Sequence, residues 1–200
     1  KNEQGDHGIE HSTVLYRMFQ ICFIIMVPIA CILFIIAKDF TSIYFGPGFE
    51  KSGDILTILS STIIFATLAN VIRTNYLIPN EKDGVYVSST IIGAVVNLIL
   101  NLIFIKKFGA IGACIGTVAA EFSVMLYQVI ATRKEINYKK VFLLIAITII
   151  KSMASAIFSM LIVNTLQIQG ITKLILICIL FTSLYLLMNI TFLKNFISKS

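Results

Sequence analysis

The sequence predicts an all-α fold, a polytopic bundle of about six transmembrane helices. Of its 200 residues, 58% are hydrophobic and 13% are charged, and the mean hydropathy is +0.93. A soluble domain of this size cannot bury so much apolar side chain. One crossing of about 30 Å of hydrocarbon takes roughly 20 helical residues, so a chain of this length allows about six crossings joined by short loops.

The first two predicted spans differ in character. The first, over about 19–37, is almost purely apolar, and Pro28 near its middle predicts a kink. A turn rich in glycine and aromatic residues follows at 44–50 and is typical of a membrane interface. The second span, over about 55–78, is interrupted by polar residues that include Arg73. Such a helix is expected to face protein or water rather than lipid.

The remaining four spans are separated by short polar turns. The third ends at two lysines, the fourth opens with regularly spaced glycines, the fifth follows a basic loop, and the sixth precedes a short tail. Their predicted bounds are about 85–105, 109–131, 141–163 and 172–193, with the tail at 194–200.

The distribution of cations predicts the orientation of the chain. Nine cations lie on the side of the amino-terminal polar or interfacial stretch 1–18, and five lie on the opposite side. The nine are Lys1, Arg17, Lys82, Arg133, Lys134, Lys139, Lys140, Lys194 and Lys199, and the five are Lys38, Lys51, Lys106, Lys107 and Lys173. Short loops rich in Lys and Arg stay in the cytoplasm, so we expect both ends of this chain to be cytoplasmic. This interpretation also accounts for the net charge of +6 without a nucleic-acid partner.

Three ionisable residues are predicted at or near membrane depth, where a charge costs several kcal/mol unless it faces a cavity or a partner. Arg73 has two interpretations, a cavity ligand or a side chain that extends to the nearby interface. Glu121 lies too far from either end of its helix to do so. It pairs statically with Lys151, or it has a role in proton coupling or substrate binding.

Four further residues are candidates for helix contacts or binding. Asn97 and Asn101 lie one turn apart on one face of the third span. They serve hydrogen bonds between neighbouring helices or the recognition of a sugar. Gly112 and Gly116 form a small-x-x-x-small pattern, which lets two helix backbones approach closely, so we expect this face to pack on another helix.

Grouped catalytic residues are missing from the sequence. It has no H-E-x-x-H pattern, no C-x-x-C pair and no glycine-rich phosphate loop that follows a strand. An enzyme needs nucleophile, base or metal ligands at reachable positions. We therefore expect neither an enzyme nor a bound metal or cofactor.

Two stretches resemble a known family. Residues 92–117 are similar to the helix, short turn and glycine-rich helix of bacterial O-antigen and capsule polysaccharide flippases, and 44–49 resembles their FG-x-x-F loop. These proteins belong to the multidrug/oligosaccharidyl-lipid/polysaccharide exporter superfamily, whose members form two pseudo-symmetric bundles around a central cavity. The resemblance implies that this chain is the carboxy-terminal part of such a protein. We therefore expect it to need an upstream half, or an oligomeric partner, to transport anything.

The resemblance also implies a function and a cargo. The protein would move an undecaprenyl-diphosphate-linked oligosaccharide across the bacterial inner membrane among its lipids, and Arg73 and Lys151 would be candidates to hold the diphosphate. A cation-coupled drug exporter of the same superfamily is an alternative, for which Glu121 is the available carboxylate. A glycan polymerase or ligase would need longer external loops, and a membrane scaffold would have no reason to keep ionisable residues at membrane depth.

Overall fold

The computed structural model of the chain describes residues 3–190 and Lys194, with side-chain surroundings described from Thr13 onward. The predicted end of the sixth span at 191–193 lies outside the described residues. So does the predicted tail at 194–200, apart from Lys194, which is helical.

The described chain consists of helices and short connections, so the predicted all-α fold class is confirmed. Its α-helices are α1 (Glu3–Phe45), α2 (Glu50–Ser60), α3 (Thr62–Ile72), α4 (Asp83–Phe108), α5 (Ala110–Thr132), α6 (Tyr138–Thr165) and α7 (Ile171–Met188). A π-helical turn at Arg73–Leu77 continues α3, and α2, α3 and this turn together make one membrane-length stretch. Within the described residues, six helical stretches are long and apolar enough to cross a membrane.

Helix α1 is much longer than the span predicted at 19–37, because its polar first turns and its charged last turns continue the same helix. Pro28 lies inside it. Proline has no N–H to give to the carbonyl four residues earlier, which is that of Ile24. The hydroxyl of Tyr185 in α7 donates to this carbonyl oxygen at 2.9 Å. A side chain from another helix therefore replaces the missing backbone hydrogen bond.

The second predicted span is interrupted where three hydroxyl residues follow one another. The hydroxyls of Ser60, Ser61 and Thr62 donate to carbonyls three residues earlier, at 2.6–2.7 Å. Such side chains compete with the backbone for its own acceptors. Helix α2 accordingly ends at Ser60, and α3 begins at Thr62.

The π turn lies immediately before Pro79. The amide of Ile78 donates to the carbonyl of Arg73 at 3.0 Å, a bond that spans five residues. Pro79 cannot donate to the carbonyl four residues earlier, and its ring disfavours regular α-helix there. The wider turn is the local solution, and π turns are frequent at functional sites.

Helices α4 and α5 form the most extensive helix contact in the fold. A separate apolar core joins α1, α3, the π turn, α5 and α6, with Phe19, Phe23, Ile72 and Leu77 almost completely buried. By contrast, many large apolar side chains on α4 point outward, such as Leu98 and Leu102, which are 61% and 63% exposed. Apolar side chains on the outer face of a membrane-length helix are suited to lipid.

Candidate functional site

A polar groove of about 570 Å³ runs between α3, the π turn, α4 and α5. Helix α3 and the π turn contribute Asn70 and Arg73, α4 contributes Thr90, Asn97 and Asn101, and α5 contributes Glu121 and Gln128. Arg73, Asn97, Asn101 and Glu121 are all half-buried, and Asn70 and Thr90 are exposed. The groove is therefore an open, polar surface on helices that are otherwise suited to lipid.

Arg73 begins the π turn at one end of the groove. Its guanidinium carbon lies 5.3 Å from the centre of the Tyr86 ring, near the beginning of α4, where a cation is attracted to the face of the ring. None of the ion pairs that the described residues form involves Arg73. Its charge is therefore available to an anion that enters the groove.

Gln128 is a groove residue that reasoning from the sequence missed. Its side chain is 1% exposed, and its amide nitrogen donates to the hydroxyl of Ser89 at 3.0 Å. The Ser89 hydroxyl in turn donates to the carbonyl of Tyr86 at 2.7 Å. A glutamine within an apolar span is a visible signal, since a buried amide needs hydrogen-bond partners. Its partner on another helix could not be inferred from spacing.

Asn97 and Asn101 bond to each other rather than to a neighbouring helix. The Asn101 amide nitrogen donates to the Asn97 amide oxygen at 2.8 Å, both on α4. The amide oxygen of Asn101 points to α5, where a Cβ added at Gly116 would lie 2.4 Å from it. Among the described residues it is one of two buried side-chain oxygens without a hydrogen-bond partner.

Gly112 and Gly116 both lie in the α4–α5 contact, and both are buried. A Cβ added at Gly112 would lie 2.2 Å from the carbonyl oxygen of Phe104. Gly93 makes a third close approach, where an added Cβ would lie 2.4 Å from Val124. The small residues let α4 and α5 come together along much of their length, and of these contacts the one between Gly93 and Val124 lies in the lining of the groove.

Glu121 and Lys151 lie in different surroundings. Glu121, halfway along α5, lines the groove. Lys151 on α6 does not line the groove. Its ammonium donates to the carbonyl of Met188 at 3.3 Å and to the side-chain oxygen of Asn189 at 3.1 Å, at the end of α7. Within the described chain, no ion pair joins Glu121 to Lys151. A cation at a helix carboxyl terminus is favourable, so Lys151 has a partner suited to its charge.

A charged cluster lies outside the groove, where the loop after the π turn meets the loop after α5. Lys82 forms an ion pair with Glu135, and its ammonium lies 3.4 Å from the hydroxyl of Tyr76. The hydrogen bond from Lys82 lowers the pKa of the Glu135 carboxyl, and the same bond raises the pKa of Lys82. The cluster connects two loops on the side that the cation distribution predicts to be cytoplasmic.

The groove has groups for binding rather than for breaking bonds. Arg73 offers a planar, permanently charged donor that suits phosphate oxygens. The amides and Glu121 offer acceptors and donors suited to hydroxyl groups. Within the part of the chain that the structure describes, no three His, Cys, Asp or Glu side chains come together in a way that could hold a metal ion.

Within the described residues, six helical stretches of membrane length define a multi-pass membrane protein, and a polar groove lies between three of its helical segments. The profile of the family described as lipid II flippase MurJ matches residues 1–189. The chain therefore belongs to this flippase family.

Two curated relatives are archaeal. An uncharacterized membrane protein of Methanocaldococcus jannaschii is 28% identical over 193 residues, which are 92% of this chain and 37% of that protein. The probable low-salt glycan biosynthesis flippase of Haloferax volcanii is 28% identical over 124 residues, or 62% of this chain and 25% of that protein. The chain thus matches between a quarter and two fifths of the length of these relatives. No solved structure matches the chain significantly.

Proposed function

We propose that this chain forms one wall of the translocation cavity of a flippase for lipid-linked oligosaccharides. The cargo would be a glycan repeat unit joined through a diphosphate to a polyprenol, undecaprenol in a bacterium. The whole protein would carry it from the cytoplasmic to the outer leaflet for surface polysaccharide synthesis, such as O-antigen or capsule. Membership of a flippase family and a glycan-flippase relative support this class of cargo.

The observation that carries the proposal is the groove itself. Arg73, Asn97, Asn101 and Glu121 come from three separate helical segments and meet on one half-buried surface. Arginine binds phosphate oxygens through two parallel hydrogen bonds, and amides and carboxylates bind sugar hydroxyls. A charged head group with sugars attached needs both kinds of contact on its way through hydrocarbon.

The proposed process breaks no bond and needs no cofactor. Helices that form one wall of a cavity alternate access only together with an opposite wall, supplied by an upstream half of the same protein or by a second subunit. The excess of cations on one side supports an orientation with both ends of the chain in the cytoplasm.

The test is a translocation assay with the full-length protein in proteoliposomes. A lipid-linked oligosaccharide is loaded, and the fraction that becomes accessible to a membrane-impermeant reagent is followed over time. Arg73→Gln removes the charge that would hold the diphosphate, and we expect the rate at low substrate concentration to fall by about tenfold or more.

Arg133→Gln is the matched control, because Arg133 is an exposed residue outside the groove. It should leave the rate unchanged. Lys151→Gln is measured beside it, to compare the loss of Arg73 with the loss of a cation that lies on a membrane-length helix but outside the groove. A wild-type protein that translocates no lipid-linked oligosaccharide would refute the proposed function. Equal rates for Arg73→Gln and Arg133→Gln would refute the role of Arg73.

A cation-coupled exporter is the second candidate function, because the groove contains a carboxylate. Glu121 lies on the groove wall without an ion-pair partner among the described residues. If a proton on Glu121 is coupled to transport, Glu121→Gln should make the rate independent of a pH gradient. Gradient-driven efflux of small cationic drugs, with no movement of lipid-linked glycan, would favour the exporter.

A further inference from the structure

Two buried amide oxygens of the described residues lack hydrogen-bond partners, and both belong to residues that line the groove. Among the residues that the structure describes, only Asn101 Oδ1 and Gln128 Oε1 are buried side-chain polar atoms without a hydrogen-bond partner. Both residues line the groove between α4 and α5. A buried acceptor without a donor costs free energy, so each such atom in a folded protein calls for an explanation.

The direction of the Gln128 amide follows from its neighbours. The hydroxyl of Ser89 donates to the carbonyl of Tyr86, and the Ser89 oxygen accepts from the amide nitrogen of Gln128. In this arrangement Gln128 presents its NH₂ group to Ser89. Its carbonyl oxygen is left as an acceptor that none of the described residues satisfies.

Gln128 and Arg73, the cation of the groove, contact neighbouring residues of α4. Ser89 accepts the hydrogen bond from Gln128, and the ring of Tyr86 contacts the guanidinium of Arg73. Ser89 and Tyr86 lie one turn apart on α4. Arg73 and Gln128 therefore meet the same turn of α4 from two different helical segments. Asn101 lies about 18 Å further along α4 from Ser89.

We propose that Gln128 is a specificity-determining residue that accepts a hydrogen bond from the first sugar of the cargo, the one joined directly to the diphosphate. The inference rests on the proposed function, in which Arg73 holds the diphosphate. The first sugar lies next to the diphosphate and carries hydroxyl or acylamino donors. The Gln128 oxygen lies beneath the groove surface. Rotamer changes of neighbouring groove side chains, of the kind that are common on binding, open it to the donor while its NH₂ group stays on Ser89.

The experiment compares two probes on the purified full-length protein, undecaprenyl diphosphate and the same lipid carrying a single sugar. Gln128→Met keeps the side-chain volume and removes the amide. We expect its affinity for the sugar-bearing lipid to fall roughly three- to tenfold, the effect of one neutral hydrogen bond. Its affinity for the sugar-free lipid should not change. Ser89→Ala, which frees the amide but keeps its oxygen, should lose about twofold for the sugar-bearing lipid only.

The controls separate this inference from the proposed function. Gln169→Met makes the same change on an exposed loop and should alter neither affinity. Arg73→Gln should weaken both lipids equally, and failure of the wild-type protein to bind either lipid would overturn the proposed function together with this inference. If the wild type binds both lipids and Gln128→Met weakens both equally or neither, only the role of Gln128 is overturned.

Discussion

Gly112 offers the sharpest test of the α4–α5 packing that builds the groove. A Cβ added there would lie 2.2 Å from the carbonyl oxygen and 2.4 Å from the carbonyl carbon of Phe104. Both are backbone atoms of α4, which cannot rotate away as a side chain can. Relief of the contact requires the two helices to separate by roughly 1 Å, since ordinary contacts of this kind are longer than 3 Å.

The magnitude follows from two opposing terms. Overpacking of a tight contact costs about 1–3 kcal/mol, and alanine is favoured over glycine inside a helix by about 1 kcal/mol. Gly112→Ala should therefore lower the free energy of unfolding by up to about 2 kcal/mol. Gly116→Ala should cost less, because its close neighbour is the Asn101 side chain, which can shift by giving up its bond to Asn97.

Unfolding of the purified protein in mixed detergent micelles, followed by circular dichroism, measures the effect. Gly84 near the start of α4 is the matched control, because nothing lies within 4 Å of a Cβ added there. Gly84→Ala should stabilise the protein by about 0.5–1 kcal/mol. A Gly112→Ala variant that gains stability as Gly84→Ala does would refute the close approach of α4 and α5.

Two further predictions concern contacts between distant segments. Tyr185→Phe should destabilise the protein by about 0.5–1.5 kcal/mol, because the carbonyl of Ile24 loses its donor. In a Pro28→Ala background the effect should be smaller, because the backbone amide of residue 28 then donates to that carbonyl. Glu135→Gln should remove a stabilisation of about 0.2–1 kcal/mol from the exposed pair with Lys82 at neutral pH. In the wild type that stabilisation should be lost at low pH, as acid protonates Glu135, whose pKa is lowered in the folded protein. It should also be lost at high pH, as Lys82 loses its proton above its raised pKa.

Both predictions are checked by unfolding measurements with matched variants. Tyr44→Phe changes a tyrosine that is 70% exposed and should have little effect. An undiminished Tyr185→Phe effect in the Pro28→Ala protein would contradict the account of the freed carbonyl. For the ion pair, the stability difference between wild type and Glu135→Gln is followed from acid to alkaline pH. A difference that is largest in acid would contradict the assigned direction of the shifts.

Much of the fold could be predicted because it depends on local properties. The apolar runs are long enough to cross a membrane whatever they pack against, and the glycine spacing around Gly112 is visible without a partner helix. Boundaries were less predictable. Helix α1 extends well beyond 19–37 because polar residues continue a helix as easily as apolar ones once it has started.

The candidate site was predicted only in part. Arg73, Asn97, Asn101 and Glu121 are unusual for their depth, so each could be named from the sequence. Gln128 was overlooked, although an amide in an apolar helix is a signal of the same kind. Lys151 satisfies the same depth rule but lies elsewhere, beside Met188 and Asn189.

Composition and the length of the apolar runs are enough to establish a helical membrane protein. They also identify the residues that are costly to place in hydrocarbon, because the free energy of transfer depends on the side chain and its depth. Which of those residues share one groove follows from the packing of the helices. The packing also brings Tyr185 to the carbonyl freed by Pro28 and leaves the Gln128 oxygen without a donor among the described residues. These outcomes depend on how helices distant in sequence are rotated and spaced against each other, and side-chain order along one helix carries no such information.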